Sequence, residues 1–335
     1  MSSSAPPSSA TVSTSGHDEP RLRWWMAANY LNLDAPLVAI VWLALFAACR
    51  DVFVPFEAYK VLALAVWCVY TLDHLFDTKR KPSVEAMTGR HRFHRLWRIP
   101  LTGALAVAMV VGSNLALTQL PGQLVTGGLL VAGVVVLYLI HARAIAATNG
   151  AVLPKELLCG AIFAIGVSLP ATVYAGTFTN IGAAGLLAPI IAMVQILKEP
   201  DVLFFAALCA LNCIAIAVWE WQPDRVNDRA AITRFFPDIR EILPRFIIIL
   251  FGGALAFPLT SILFDQNYPE YYSVFFSCIA ASAGLIGIIH WQRHRFKPDV
   301  LRVLADVALL TPIAAIPFIP RSIWSLLKIV FGFGW

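Results

Sequence analysis

Long uncharged apolar runs constrain this chain more than any other feature. Leu101–Leu117, Leu124–Ile140, Val202–Trp219 and Phe246–Phe264 contain no Asp, Glu, Lys or Arg. As helices they cover about 30 Å of hydrocarbon each, with some tolerance at the ends. Charged residues make up 13% of the sequence and hydrophobic ones 59%, whereas a soluble domain carries roughly 25% charged residues. A water-soluble fold would have to bury every run on all sides in one core. The chain therefore reads as an all-α polytopic membrane protein, and Gly and Pro inside the runs fit that class.

The pattern predicts nine spans, at 33–49, 57–76, 101–119, 124–141, 155–174, 203–221, 245–264, 271–291 and 299–318. A further stretch, 182–197, is short and contains Pro189. Lys and Arg collect on the cytoplasmic side of a membrane protein, and this rule decides whether the stretch crosses. If it does not cross and the N-terminus lies inside, all 25 Lys and Arg except Arg50, Lys60, Lys198, Arg321 and Lys328 fall on the cytoplasmic side. If it crosses, the basic cluster from Arg225 to Arg245 faces out. Segment 182–197 is thus expected to be a non-spanning surface or re-entrant piece. The expected setting is a bacterial-type inner membrane.

Residues 1–23, rich in Ser, Pro, Thr and Ala, lack an apolar core and read as a disordered tail rather than a signal peptide. Residues 24–318 form one transmembrane domain, and 319–335, with Arg321, Trp324, Lys328 and Trp335, read as an amphipathic interfacial tail. The six cysteines lie mostly within apolar runs and show no zinc spacing, so they read as small packing residues.

Two acidic motifs stand out at span ends. The second span closes on Asp73-His74-Leu75-Phe76-Asp77 before Lys79, Arg80 and Lys81. At i, i+4 the two carboxylates share a helix face about 5–6 Å apart, where like charges destabilise. A helix C-terminus is also unfavourable for anions. A bound cation or the following basic residues would compensate. The sixth span ends in Glu220, Asp224, Asn227, Asp228 and Arg229, around Pro223; the alternative there is a solvated polar loop. Both motifs fall on the cytoplasmic side. Hard oxygen ligands from two places beside Lys and Arg suit Mg²⁺ bridging a diphosphate.

In this order of motifs the chain resembles the UbiA-type intramembrane prenyltransferase superfamily. Tyr138 with Arg143, and then Pro154-Lys155-Glu156-Leu157 with Gly160 and Gly166, are similar to that family's exit from span four and entry to span five. The likeness covers most of 30–318. The family's first motif reads Asn-Asp-x-x-Asp-x-x-x-Asp, and this chain has Val69 and Tyr70 in its first two places. The resemblance implies a UbiA-like bundle and Mg²⁺-dependent transfer of a polyprenyl group from its diphosphate to a lipophilic, aromatic-type acceptor. It implies Asp73, Asp77, Glu220, Asp224 and Asp228 as metal ligands, and Arg143, Lys155 and Lys79 or Arg80 as the diphosphate clamp. Asn227 and Arg229 would touch substrate, and Tyr70 and Trp219 would face the cationic allylic carbon. The partners are then a polyprenyl diphosphate, the acceptor and the bilayer, with no nucleic acid.

Other polar residues have plainer readings. Asn32 and Asp34 start span one, as a cap or as a wall of the acceptor cavity. The basic run Arg90 to Arg95, with His91 and His94 at i, i+3, reads as a loop meeting lipid headgroups or substrate diphosphate, with metal ligation by the two histidines as the alternative. His74 has no assigned role, and Asp306 is expected to pair with Arg302 at i, i+4. A non-catalytic prenyl-lipid-binding relative is one alternative, favoured by the reduced first motif. A transporter is the other, although no span shows a central charge pair in the sequence.

Overall fold

Every regular element is helical among the residues that the computed structural model describes, namely 27–80, 89–147, 154–176, 188–220, 236, 238–264 and 270–315. The helices are α1 (Ala27–Tyr30), α2 (Asp34–Cys49), α3 (Phe56–Arg80), α4 (Gly89–Leu96), α5 (Arg98–Gln119), α6 (Gly122–Ala147) and α7 (Lys155–Tyr174). They continue with α8 (Ala188–Lys198), α9 (Pro200–Trp219), α10 (Ile239–Phe264), α11 (Glu270–Gln292), α12 (Pro298–Ala308) and α13 (Thr311–Ala315). Both terminal tails lie outside the described residues.

Seven helices are long and apolar enough to cross a membrane: Phe56–Phe76, Arg98–Gln119, Gly122–His141, Lys155–Tyr174, Pro200–Trp219, Ile239–Thr260 and Tyr272–Arg295. The outer surfaces of α5 and α6 expose Val107, Met109, Val110, Leu117, Leu129 and Leu137. So much open apolar surface suits lipid, not water. The fold is that of an integral membrane protein.

The first and last expected spans behave differently from these seven. Helix α2 has 16 residues, about 24 Å of rise. It packs against α3, α7, α11, α12 and α13, and Trp42, Leu43, Phe46 and Ala47 on it are wholly buried. A helix apolar all round belongs inside. Trp42 stacks on Phe205 of α9 at 4.5 Å and meets Phe275 of α11 edge-on at 5.4 Å.

The last expected span does not run as one helix: it breaks after Ala308 and restarts at Thr311. Pro312 has no N–H to give to the preceding turn. In an apolar interior the freed groups need partners, and α2 and α11 supply them. The Trp42 indole N–H donates to the Leu309 carbonyl at 2.7 Å. The Thr311 hydroxyl donates to the Cys278 carbonyl at 3.0 Å and meets Ser282 at 2.7 Å.

The tightest crossing is between α7 and α9. A Cβ on Gly160 would lie 2.6 Å from the Ala210 backbone nitrogen and 2.7 Å from the Ala206 carbonyl oxygen. Only glycine permits that approach, as small residues do at membrane helix contacts. The pair is antiparallel. Thr172 near the end of α7 and Asp201 at the start of α9 share Arg50 as a partner, while Cys159 and Cys213 meet at the other end. The chain therefore re-enters the bundle at the end it left, and α8 between them has 11 residues, too few to span.

Candidate functional site

The start of α2, the ends of α3, α6 and α9, the start of α7, and α12 all bring polar groups to one end of the bundle. Two networks form there. In the first, Asn32 takes a left-handed backbone with φ 55° between α1 and α2, which asparagine tolerates better than most residues. Its side-chain N–H₂ donates to the Thr71 hydroxyl at 3.3 Å and lies 3.1 Å from His94 Nε2. His94 is wholly buried and stacks on His74 with centroids 5.1 Å apart, while His74 Nδ1 lies 2.5 Å from the Tyr70 carbonyl oxygen. His94 of the basic α4 segment therefore faces inward rather than to headgroups or a diphosphate, because it is a partner for buried Asn32. Burial, and then the charge of Asp299, push the Tyr30 hydroxyl above its ordinary pKa.

The second network joins four distant segments. The Asn29 amide donates to Asp34 at 2.6 Å and to Asp306 at 3.3 Å. The Asn212 amide donates to the other Asp306 oxygen at 3.3 Å. The Asn29 amide thus bridges the Asp34 and Asp306 carboxyls. Arg302 stays within electrostatic reach of Asp306, but its contact ion pair is not the i, i+4 one that the spacing predicts. Arg302 forks onto both oxygens of Glu220, one at 3.0 Å. A planar guanidinium matches a carboxylate this way.

Beside these networks, α3, α6, α7 and α9 bring together Tyr70, Asp73, Tyr138, Lys155, Cys159 and Cys213, all six half-buried. Asp73 and Lys155 lie within electrostatic reach of both Tyr138 and Cys159. The Cys159 and Cys213 side chains lie beside each other across α7 and α9, and all six cysteines are free. Trp219 donates to His290 Nδ1 at 3.1 Å on the α11 side.

Of the residues expected to act together, the structure brings Tyr70, Asp73 and Lys155 to one cluster, and Asn32 and Asp34 to the networks beside it. Asp77, Lys79, Arg80 and Arg143 fall on α3 and α6, but their side chains lie outside what is described. Asp224, Asn227, Asp228 and Arg229 lie wholly outside the described residues. Among the described residues, no three His, Cys, Asp or Glu converge as a metal site. Asn29, Thr71, His94 and Asn212 were not legible as site residues. Asn212 alone carried a usable signal, a lone carboxamide in an uncharged run, which needs a polar partner inside a membrane protein.

No protein-family model, curated protein or solved structure matches the chain.

Proposed function

We propose that the protein is an intramembrane prenyltransferase that moves a polyprenyl group from its diphosphate to a lipophilic, aromatic-type acceptor. One observation carries the reading: Asp73, Lys155, Tyr70 and Tyr138 cluster where apolar helices meet. Such a place would offer a long chain apolar walls and its diphosphate a polar end. In this reading the Asp34 end faces the cytoplasm, the N-terminus lies inside, and 33–49 and 299–318 complete nine passes in a UbiA-like bundle.

The donor set fits Mg²⁺. Asp73 and Asp77 share one face of α3 at i, i+4, and magnesium needs only one or two carboxylates when substrate phosphates complete its shell. Asp224 and Asp228 would supply the second anchor. Glu220, engaged on both oxygens by Arg302, is better placed as a brace for α12 than as a ligand. Bound there, the metal would supply Lewis-acid withdrawal of charge from the diphosphate. Lys155, with Arg143 and Lys79 or Arg80, would hold the leaving diphosphate. Tyr70 and Tyr138 would present ring faces to the developing allylic cation.

The test uses the purified protein in nanodiscs with geranylgeranyl diphosphate as probe. Magnesium-dependent thermal stabilisation is expected, amounting to about 2.7 kcal/mol at ~100 Kd of ligand. Asp77→Asn should abolish it while the metal-free protein stays as stable or gains, because the Asp73–Asp77 repulsion is relieved. Stabilisation by prenyl chains without magnesium would instead support a non-catalytic lipid-binding protein, which the Val69-Tyr70 departure favours. Loss of stability in metal-free Asp77→Asn would show Asp77 to be a structural partner of the neighbouring basic residues.

A further inference from the structure

The start of α10 and the end of α11 meet at the Asp34 end of the bundle, and they carry charge that neither the buried networks nor the transfer chemistry uses. The two helices run antiparallel, and glycines fix their register. A Cβ on Gly287 would lie 3.1 Å from Ile247 Cγ2, and one on Gly284 would lie 3.3 Å from the Phe251 ring. Arg245, two residues before Ile247, is therefore level with the last turn of α11. The 3₁₀ turn Arg293–Arg295 follows that helix, and Lys297 caps the start of α12. Arg245, Arg295 and Lys297 are exposed, and Arg293 gives one N–H to the His290 carbonyl at 2.8 Å. With Arg240, five basic residues gather here against three acidic ones, Asp238 and Glu241 on α10 and Asp299 on α12.

Next to this basic collar the same helices turn apolar faces outward. Ile248, Ile249 and Ile288 are each more than half exposed, and Trp291, on the boundary, is 78% exposed. Ile248 and Ile249 lie one turn along α10 from Arg245, and Ile288 lies one turn before Trp291, so each helix carries its apolar and polar residues in line. Both helices are long and apolar enough to span, so this ledge borders acyl chains. A ligand that fits both parts must join an anionic head to a hydrocarbon tail. We propose that this corner is a binding site for an anionic phospholipid. Its phosphate lies among Arg245, Arg295 and Lys297, and its chains lie along Ile248, Ile249 and Ile288. A guanidinium offers paired N–H donors to phosphate oxygens, and an exposed indole suits the headgroup level. A choline headgroup would bring a second cation to a patch that is already basic, so the net negative headgroup is favoured. A phosphate held by Arg245 and Lys297 ties the start of α10 to the start of α12, the helix that carries Arg302.

The test uses the full chain purified in detergent, with phosphatidylglycerol and phosphatidylcholine of the same acyl composition as probes. Native mass spectrometry is expected to retain phosphatidylglycerol on the protein under collision energies that strip phosphatidylcholine. Raising the salt concentration should weaken phosphatidylglycerol binding, because these charges are exposed. Neither readout needs a variant. Arg245→Gln and Arg295→Gln should each lower phosphatidylglycerol affinity about fivefold and leave phosphatidylcholine affinity unchanged. Lys198→Gln, which removes an exposed charge at the opposite end of the bundle, should change neither. Equal retention of the two lipids would overturn the proposal, as would a loss in Lys198→Gln equal to that in Arg245→Gln. Displacement of the lipid by inorganic phosphate alone would also overturn it, since the collar would then be a site for free phosphate. None of these assays contains a diphosphate, so their failure leaves the transferase reading where it stands.

Discussion

Buried charge is handled in opposite ways at the two ends of the bundle. At the Arg50 end, one cation meets one anion. Arg50 lies 3.1 Å from Asp201, whose side chain is 0% exposed, and it also donates to Thr172. The second Asp201 oxygen accepts the Val202 N–H at 2.8 Å, and the guanidinium sits 5.5 Å above the Phe46 ring. That arrangement clamps α2, α7 and α9 together. At the Asp34 end, among the described residues, Arg302 forks onto Glu220, while Asp34 and Asp306 are held by the carboxamides of Asn29 and Asn212. An ion pair locks the helices at the first end, and carboxamides join them at the second.

The largest expected effect breaks the clamp. Arg50→Ala leaves Asp201 buried without its cation, which costs about 3–5 kcal/mol. Reversible unfolding in mixed micelles would show it as a marked fall in midpoint. The double change Arg50→Met with Asp201→Leu should return most of the loss, because it removes the stranded charge. A cost no larger than that of a surface substitution would mean that the two ends do not differ as described.

A smaller effect is expected at Glu220. Glu220→Gln keeps one acceptor for Arg302 but turns a charge-assisted fork into neutral hydrogen bonding, a loss of about 1–2 kcal/mol. The magnesium response to geranylgeranyl diphosphate should persist in this variant. Its disappearance would return Glu220 to the metal site and make Arg302 a gate rather than a brace.

How much of this was legible in the sequence depends on distance along the chain. Apolar runs located the seven long spans closely, with 155–174 matched end to end, because a span is a local property of about 20 residues. The break at Leu309 was not legible. Pro312 hinted at it, but the partners that make it tolerable, Trp42 and Cys278, are remote in sequence. The site divides similarly. Asp73 stood out by its local spacing to Asp77. Asp306 was read with its nearest basic neighbour, although its partners Asn29, Asp34 and Asn212 come from other helices. Helical spacing predicts neighbours on one helix and is blind to contacts between helices.

The smallest expected effect sharpens the comparison most. Asp306→Asn neutralises a buried carboxyl, as a change at Asp201 would, yet stability should move by no more than about 1 kcal/mol. The new carboxamide can donate its N–H to Asp34, since the Asn29 amide already brings the two side chains together. Its oxygen can still accept from Asn29 or Asn212, which lie 3.3 Å from the present carboxylate oxygens. No cation is stranded, because Arg302 keeps Glu220. The same substitution at the other end, Asp201→Asn, leaves Arg50 facing a neutral group and should cost distinctly more. Parallel unfolding curves for the two variants supply the measurement. If Asp306→Asn proved as damaging as Asp201→Asn, the Asp34 end would be a structural ion network like its counterpart rather than one held by carboxamides.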